Sequence, residues 1–209
     1  MTRFTDKQTR KASFAWTRAL AIVRGMQVTS ISGSPSVRSR SAWLQQLALT
    51  RLEGTSSAVQ SIALRELPPR PLLQADAQHP ALRDALQAVA GAQLLIVATP
   101  IYKAAYSGLL KTFLDLLPPD ALRDKTVLPL ATGGSPAHLL ALEYALKPVL
   151  GALGARDILD GVFATDAQLQ PHEAGGFVPD AALLQRLDRA LQPLLRRQAW
   201  PAQVLRCSA

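Results

Sequence analysis

The chain has 209 residues, 48% of them apolar and 5% aromatic, with a formal net charge of +8 and a single cysteine, Cys207. That length suits one domain with a sizeable core. No apolar run is long enough to span a bilayer, and one cysteine beside the C-terminus argues against a disulfide framework, a thiolate zinc site or a cysteine nucleophile and for a cytoplasmic protein. The charge is also uneven, since residues 1–25 carry +5 and residues 184–209 carry +4, leaving −1 for 26–183. Basic ends on a neutral body read as solvated tails rather than as a face that reads nucleic acid.

Residues 1–25 hold Trp16 and a short apolar run over 19–23 between Arg18 and Arg24. This run is too short for a secretory core and lacks a small-residue cleavage site. Met26 directly precedes the first strand, so 1–25 are expected to be an extension, disordered or a lone amphipathic helix, with the native start at Met26. Five apolar runs then suggest strands at 26–32, 58–64, 93–99, 126–131 and 156–164. Helical patterns follow them at 40–53, 79–90, 107–117, 137–153 and 180–198, and 199–209 is left as a tail. Such alternation predicts a parallel sheet with helices on both faces in one domain, 26–198. The third strand is continuously apolar (Leu94, Leu95, Ile96, Val97, Ala98), as a strand buried on both faces should be. Ligands of such folds sit where the winding reverses, at the carboxyl ends of the strands. The loops after strands one, three and four should therefore meet at one crevice.

The first loop reads Ser32-Gly33-Ser34-Pro35-Ser36-Val37-Arg38-Ser39-Arg40-Ser41. Backbone N–H groups at a helix start, serine hydroxyls and the fork of Arg40 make a phosphate cradle. It lacks both the Gly-Lys-Ser/Thr ending of a triphosphate loop and the three spaced glycines of a dinucleotide loop. It fits a monophosphate held without metal, as on the ribityl chain of FMN. Alone, a Gly-Ser-Pro loop is more often a plain helix cap than a ligand site; three unusual loops at three strand ends reverse that preference. In the second loop Pro100, Ile101 and Tyr102 offer an apolar wall for a flavin ring. In the third, Thr132, Gly133 and Gly134 offer backbone donors close to its pyrimidine edge, where negative charge grows on reduction.

Three strings, "TPIYKAAYSGLLKTFLDLLP", "VLPLATGG" and "HLLALEYALKPVLGALGA", together with the weaker "GSPSVRSRS", resemble the NAD(P)H-dependent FMN reductases, nearest to the reductase components of alkanesulfonate monooxygenase systems. The resemblance runs from Met26 to about residue 198. It implies a flavodoxin-like, doubly wound α/β fold with a five-stranded parallel sheet in the order 2-1-3-4-5. By the same resemblance Ser34, Ser39, Arg40 and Ser41 bind the FMN phosphate, while Pro100, Ile101, Tyr102, Lys103, Thr132, Gly133 and Gly134 line the flavin. The resemblance further implies that hydride passes from nicotinamide C4 to flavin N5 by positioning, with no protein acid required, and that reduced FMN leaves for an FMNH2-dependent monooxygenase. NADPH is the expected reductant, with NADH possible.

Tyr144 and Lys147 interrupt an otherwise small and apolar helix over 137–153, which is expected to be an interface. In close relatives a tyrosine inserted here forms a π-bulge at a tetramer interface, so a homotetramer, or a dimer, is implied. Other residues keep bland readings: His138 a cap or a solvent-facing group, Lys103 a solvated charge, and His79 and His172 loop residues with no carboxylates spaced for a metal. Two rivals remain open. One is a quinone or azo reductase that retains its FMN; the other is a flavodoxin-type electron carrier, whose usual acidity this chain lacks.

Overall fold

The computed structural model describes residues 26–53 and 56–198; the expectations for 1–25 and 199–209 lie outside the described residues. Strand β1 (Met26–Ser32) leads into helix α1 (Arg40–Arg51), and β2 (Ser56–Ala63) is followed by the short α2 (Pro69–Leu73) and by α3 (Pro80–Gly91). Strand β3 (Leu94–Tyr102) turns into the two-residue β4 (Ala105–Tyr106) before α4 (Gly108–Leu114). Strand β5 (Thr126–Gly133) is followed by α5 (Lys147–Ala152), β6 (Asp157–Ile158), β7 (Val162–Thr165), a hairpin of β8 (Leu169–Pro171) and β9 (Phe177–Pro179), and α6 (Ala181–Gln198).

The main sheet runs β2-β1-β3-β5-β6, all parallel, with β7 also on β5 and β4 antiparallel to β3. This is the doubly wound order expected, with β3 central. Alternation along β3 feeds two cores: Leu95 and Val97 face one, with α3, α4 and α5, and Leu94, Ile96 and Ala98 face the other, with α1 and α6. All five are 0% exposed, and full burial of each larger side chain stabilises the fold by about 1.5–3 kcal/mol. In α6, Leu183, Leu187, Ala190, Leu191 and Leu194 form the buried stripe of an amphipathic helix. No helix of the described residues is long and apolar enough to cross a membrane.

Two expected elements are interrupted, each beside a proline. The fifth strand is not one run over 156–164: β6 pairs with Thr126 and Val127, and β7 pairs with 130–133 of β5. Between them three residues, 159–161, stand against Leu128 and Pro129. Pro129 has no N–H to give a ladder, so pairing breaks there. The helix expected over 137–153 is three pieces: a tight turn at Pro136–Leu139, a π-helical turn at Leu142–Leu146, and α5. The Lys147 N–H bonds to the Leu142 carbonyl, five residues back. Pro148, just beyond, cannot supply the N–H that an α-helix would send to the Tyr144 carbonyl, so the wider turn sits where the ladder already lacks a donor. Tyr144 stands at the middle of that turn and is 78% exposed.

Candidate functional site

Beyond β1 the chain makes a close approach that only glycine allows. The Gly33 N–H donates to the Ala98 carbonyl at 2.7 Å, and a Cβ on Gly33 would lie 2.8 Å from Leu110 Cβ and 3.2 Å from Ser107 Oγ. Ser34 is buried, and its hydroxyl accepts from the Ser36 N–H at 3.2 Å. The loop closes on Ser39, which caps α1 from extended backbone: its Oγ accepts from the Ala42 N–H at 3.2 Å and pairs with Ser41 Oγ at 3.0 Å. With Trp43 N–H on the Ser39 carbonyl, the helix ladder starts there. The N–H groups of Arg40 and Ser41 precede that ladder, where a helix offers donors and partial positive charge to an anion.

The second loop is tied to the first. Thr99 Oγ1 donates to the Pro100 carbonyl and accepts from the Ser107 N–H, both at 3.0 Å. Ser107 Oγ donates to the Gly33 carbonyl and, as cap of α4, accepts from the Leu110 N–H at 3.1 Å. Both residues are buried. Between them Lys103 and Ala104 turn the β3-β4 hairpin at φ of 51° and 62°, a left-handed geometry that costs a non-glycine residue about 1–2 kcal/mol. Tyr102, 49% exposed, stands beside this turn at the end of β3. Burial pushes the half-buried Tyr106 phenol above the ordinary tyrosine value, opposed by Lys111. It stays neutral and offers no base.

The third loop leaves β5 through Thr132, Gly133 and Gly134. A Cβ on Gly133 would sit 3.0 Å from His138 Nδ1 and 3.3 Å from Phe163, so this glycine lets the following turn fold back. Ser135, not His138, caps that turn, accepting from the Ala137 N–H at 3.3 Å. Among the described residues, His138 Nδ1 is instead buried without a partner beside Gly133, as is Ser32 Oγ at the end of β1.

The loops meet around a cleft of about 250 Å³. Nine residues expected from sequence line it: Ser34, Ser39, Arg40, Pro100, Ile101, Tyr102, Thr132, Gly133 and Gly134. Ser41 lies behind Ser39, fully buried, and Lys103 is in the hairpin turn; neither side chain lines the cleft. Ser36, Arg38 and Asp166 line it as well. Ser36 and Arg38 sit inside the loop already singled out. Asp166 follows β7, so the strand-end rule would have found it had that strand been drawn to Thr165. Arg40 is held from one side: Nε donates to the Leu169 carbonyl at 3.1 Å, its Cζ is 5.1 Å from the centre of the Phe177 ring, and one terminal nitrogen is 3.6 Å from Asp166 Oδ1. Trp43 meets Phe177 edge to face, so the β8-β9 hairpin is anchored on the first turn of α1.

Hydroxyls and open amides at a helix start, an apolar wall and a glycine turn suit a planar ring carrying a phosphate. Comparison with known proteins places the chain in a family. Residues 26–170 match the family described as NADPH-dependent FMN reductase. The FMN reductase (NADPH) of Escherichia coli K12 is 51% identical over 168 residues, covering 80% of this chain and 87% of that one. That of Pseudomonas putida KT2440 is 49% identical over 170 residues, covering 81% and 85%. Among solved structures, the apo form of the NADH:FMN oxidoreductase EmoB superposes with a TM-score of 0.74 at 40% identity, covering 81% of this chain and 88% of that one. The chain belongs to the NADPH-dependent FMN reductase family and is an NAD(P)H:FMN oxidoreductase.

Proposed function

We propose that the cleft receives FMN with its phosphate at the start of α1, reduces it, and releases it to an FMNH2-dependent monooxygenase, most specifically one that desulfonates alkanesulfonates. The observation that carries this is the junction of the Ser34–Ser39 cradle, the Pro100-Ile101-Tyr102 edge and the Thr132-Gly133-Gly134 turn around one open cleft. Ser34 and Ser39 hold the phosphate with the N–H groups of Arg40 and Ser41. Pro100, Ile101 and Tyr102 flank the ring, with Lys103 at the rim. Thr132, Gly133 and Gly134 hold the pyrimidine edge. Bound FMN supplies the N5 that accepts hydride from nicotinamide C4. The protein's part is to orient the two rings, which by itself lowers the barrier by removing the entropy of their encounter. NADPH is the reductant favoured by the names of the two relatives near 50% identity, although EmoB is named for NADH. The sulfonate assignment rests on the resemblance carried by residues 99–118, 127–134 and 138–155.

A coupled assay tests the supply role. The enzyme, NADPH, FMN and a purified alkanesulfonate monooxygenase should release sulfite, and FMN should dialyse away from the reductase. Retention of FMN through dialysis with no sulfite formed would favour a quinone or azo reductase instead.

The π-helical turn supports a second part of the proposal. Leu139, Leu140 and Tyr144 are all exposed apolar or aromatic side chains in one short stretch, a concentration that marks an interface. We assign it to a dimer or tetramer contact between copies of this chain. Deleting Tyr144 should restore α-helical winding, leave FMN bound more tightly and weaken transfer to the monooxygenase. Unchanged flavin release, with an unchanged oligomer mass by sedimentation, would contradict that role.

A further inference from the structure

Among the described residues that line the cleft, Asp166 is the one carboxylate, and Arg38 and Arg40 bring the guanidinium groups. Its position is fixed by backbone. It opens a tight turn at Asp166–Gln168 directly after β7, closed by a reciprocal cap in which the Gln168 side chain accepts from the Thr165 N–H. Gln168 is held in turn by Arg186 at 2.8 Å. The Asp166 carboxylate is thus placed between the two halves of the cleft: Oδ1 lies 3.6 Å from Arg40, and Oδ2 lies 4.0 Å from where a Cβ on Gly134 would be. The Arg40 pair is longer than a hydrogen bond and is half exposed, so it contributes little to fold stability. A stabilising role does not account for an acid in a cleft built for an anion.

We propose that Asp166 is an affinity-setting residue: it shares the charge of Arg40 with the FMN phosphate and so keeps flavin binding weak enough for release. This rests on the assignment of the phosphate to the start of α1. Arg40 is already held on its far side by the Leu169 carbonyl and the Phe177 ring, so it cannot swing wholly to the phosphate and leave Asp166 behind. A dianion seated on Ser39 then feels Arg40 with Asp166 beside it, and part of the attraction is cancelled. An enzyme that keeps its flavin would gain from losing this acid. One that hands its flavin on gains from keeping it, because the phosphate is the same in both oxidation states and Asp166 loosens the hold on it in each.

The test is Asp166→Asn, which preserves size and leaves the Thr165–Gln168 cap in place. Fluorescence titration should show FMN bound roughly five- to tenfold more tightly, the size of one solvent-screened charge interaction. Riboflavin, which lacks the phosphate, should bind the variant as it binds the wild type. Adding Arg40→Ala should remove most of the FMN gain. Unchanged FMN affinity, or FMN and riboflavin tightened equally, would overturn the assignment, the latter by placing the effect at the ring. Ser39→Asp distinguishes the two readings: if it abolishes FMN binding while Asp166→Asn does nothing, the proposal for Asp166 alone falls. If neither changes FMN affinity, the phosphate site falls with it.

Discussion

Gly33→Ala should lower the stability of the fold by about 1–3 kcal/mol, the usual result of forcing a methyl into a filled site, and shift Tm down by several degrees. The added Cβ would meet Leu110 Cβ at 2.8 Å, Ser107 Oγ at 3.2 Å and the Ala98 carbonyl at 3.3 Å. Two of these neighbours are backbone-near atoms of packed elements and cannot rotate away. The loop must move instead, and it holds both the Gly33 N–H bond to Ala98 and the carbonyl that Ser107 binds. The phosphate cradle would lift off the second loop, so FMN affinity should fall at least tenfold alongside the stability. Differential scanning calorimetry and an FMN titration check the two effects. A variant as stable as wild type with unchanged affinity would show that the close packing of Gly33 against α4 is not what positions the cradle.

Ser39→Ala should separate capping from binding when it is set beside Ser39→Asp. Alanine removes the acceptor of the Ala42 N–H, at a cost of about 1 kcal/mol of stability for a lost helix cap. It also removes a hydrogen bond to a charged phosphate, worth about 1.5–3 kcal/mol, so FMN should bind roughly 10- to 100-fold more weakly. Aspartate keeps the cap and suits the helix start, yet places a negative charge against the phosphate. Its stability should match wild type while FMN binding is lost, and riboflavin binding should survive both changes. Equal loss of FMN and riboflavin in either variant would mean that Ser39 acts on the fold and not on the phosphate.

Much of this architecture was legible in the chain because its signals are local. The third strand is apolar from Leu94 to Ala98, as a strand covered on both sides should be, and β3 is indeed central with both cores built on it. Loops at the ends of strands one, three and four could be placed together from the winding rule alone, and nine of the eleven residues drawn from them line one cleft. What the chain hides is relational. Pro129 splits the fifth strand because of where its missing N–H falls in the sheet, a fact of register that no periodicity carries. The roles of Thr99 and Ser107 depend on the Gly33 carbonyl lying within reach, although a serine just before Gly108-Leu109 does advertise a helix cap. Arg40 reads as a phosphate ligand in its loop, whereas its guanidinium is also engaged by Leu169, Phe177 and Asp166, well over a hundred residues away in the chain. The resemblance assigns Ser41 to the phosphate, while its buried hydroxyl pairs with Ser39 Oγ behind the cap, a contact that the loop's composition does not announce.

The most direct measurement is a crystal structure of this protein with FMN. The phosphate is expected at the start of α1, within hydrogen-bonding distance of Ser34 or Ser39 and of the amides of Arg40 and Ser41, with the ring between the Tyr102 edge and the Gly133-Gly134 turn. A phosphate bound elsewhere, or a ring lying away from those two loops, would contradict that expectation.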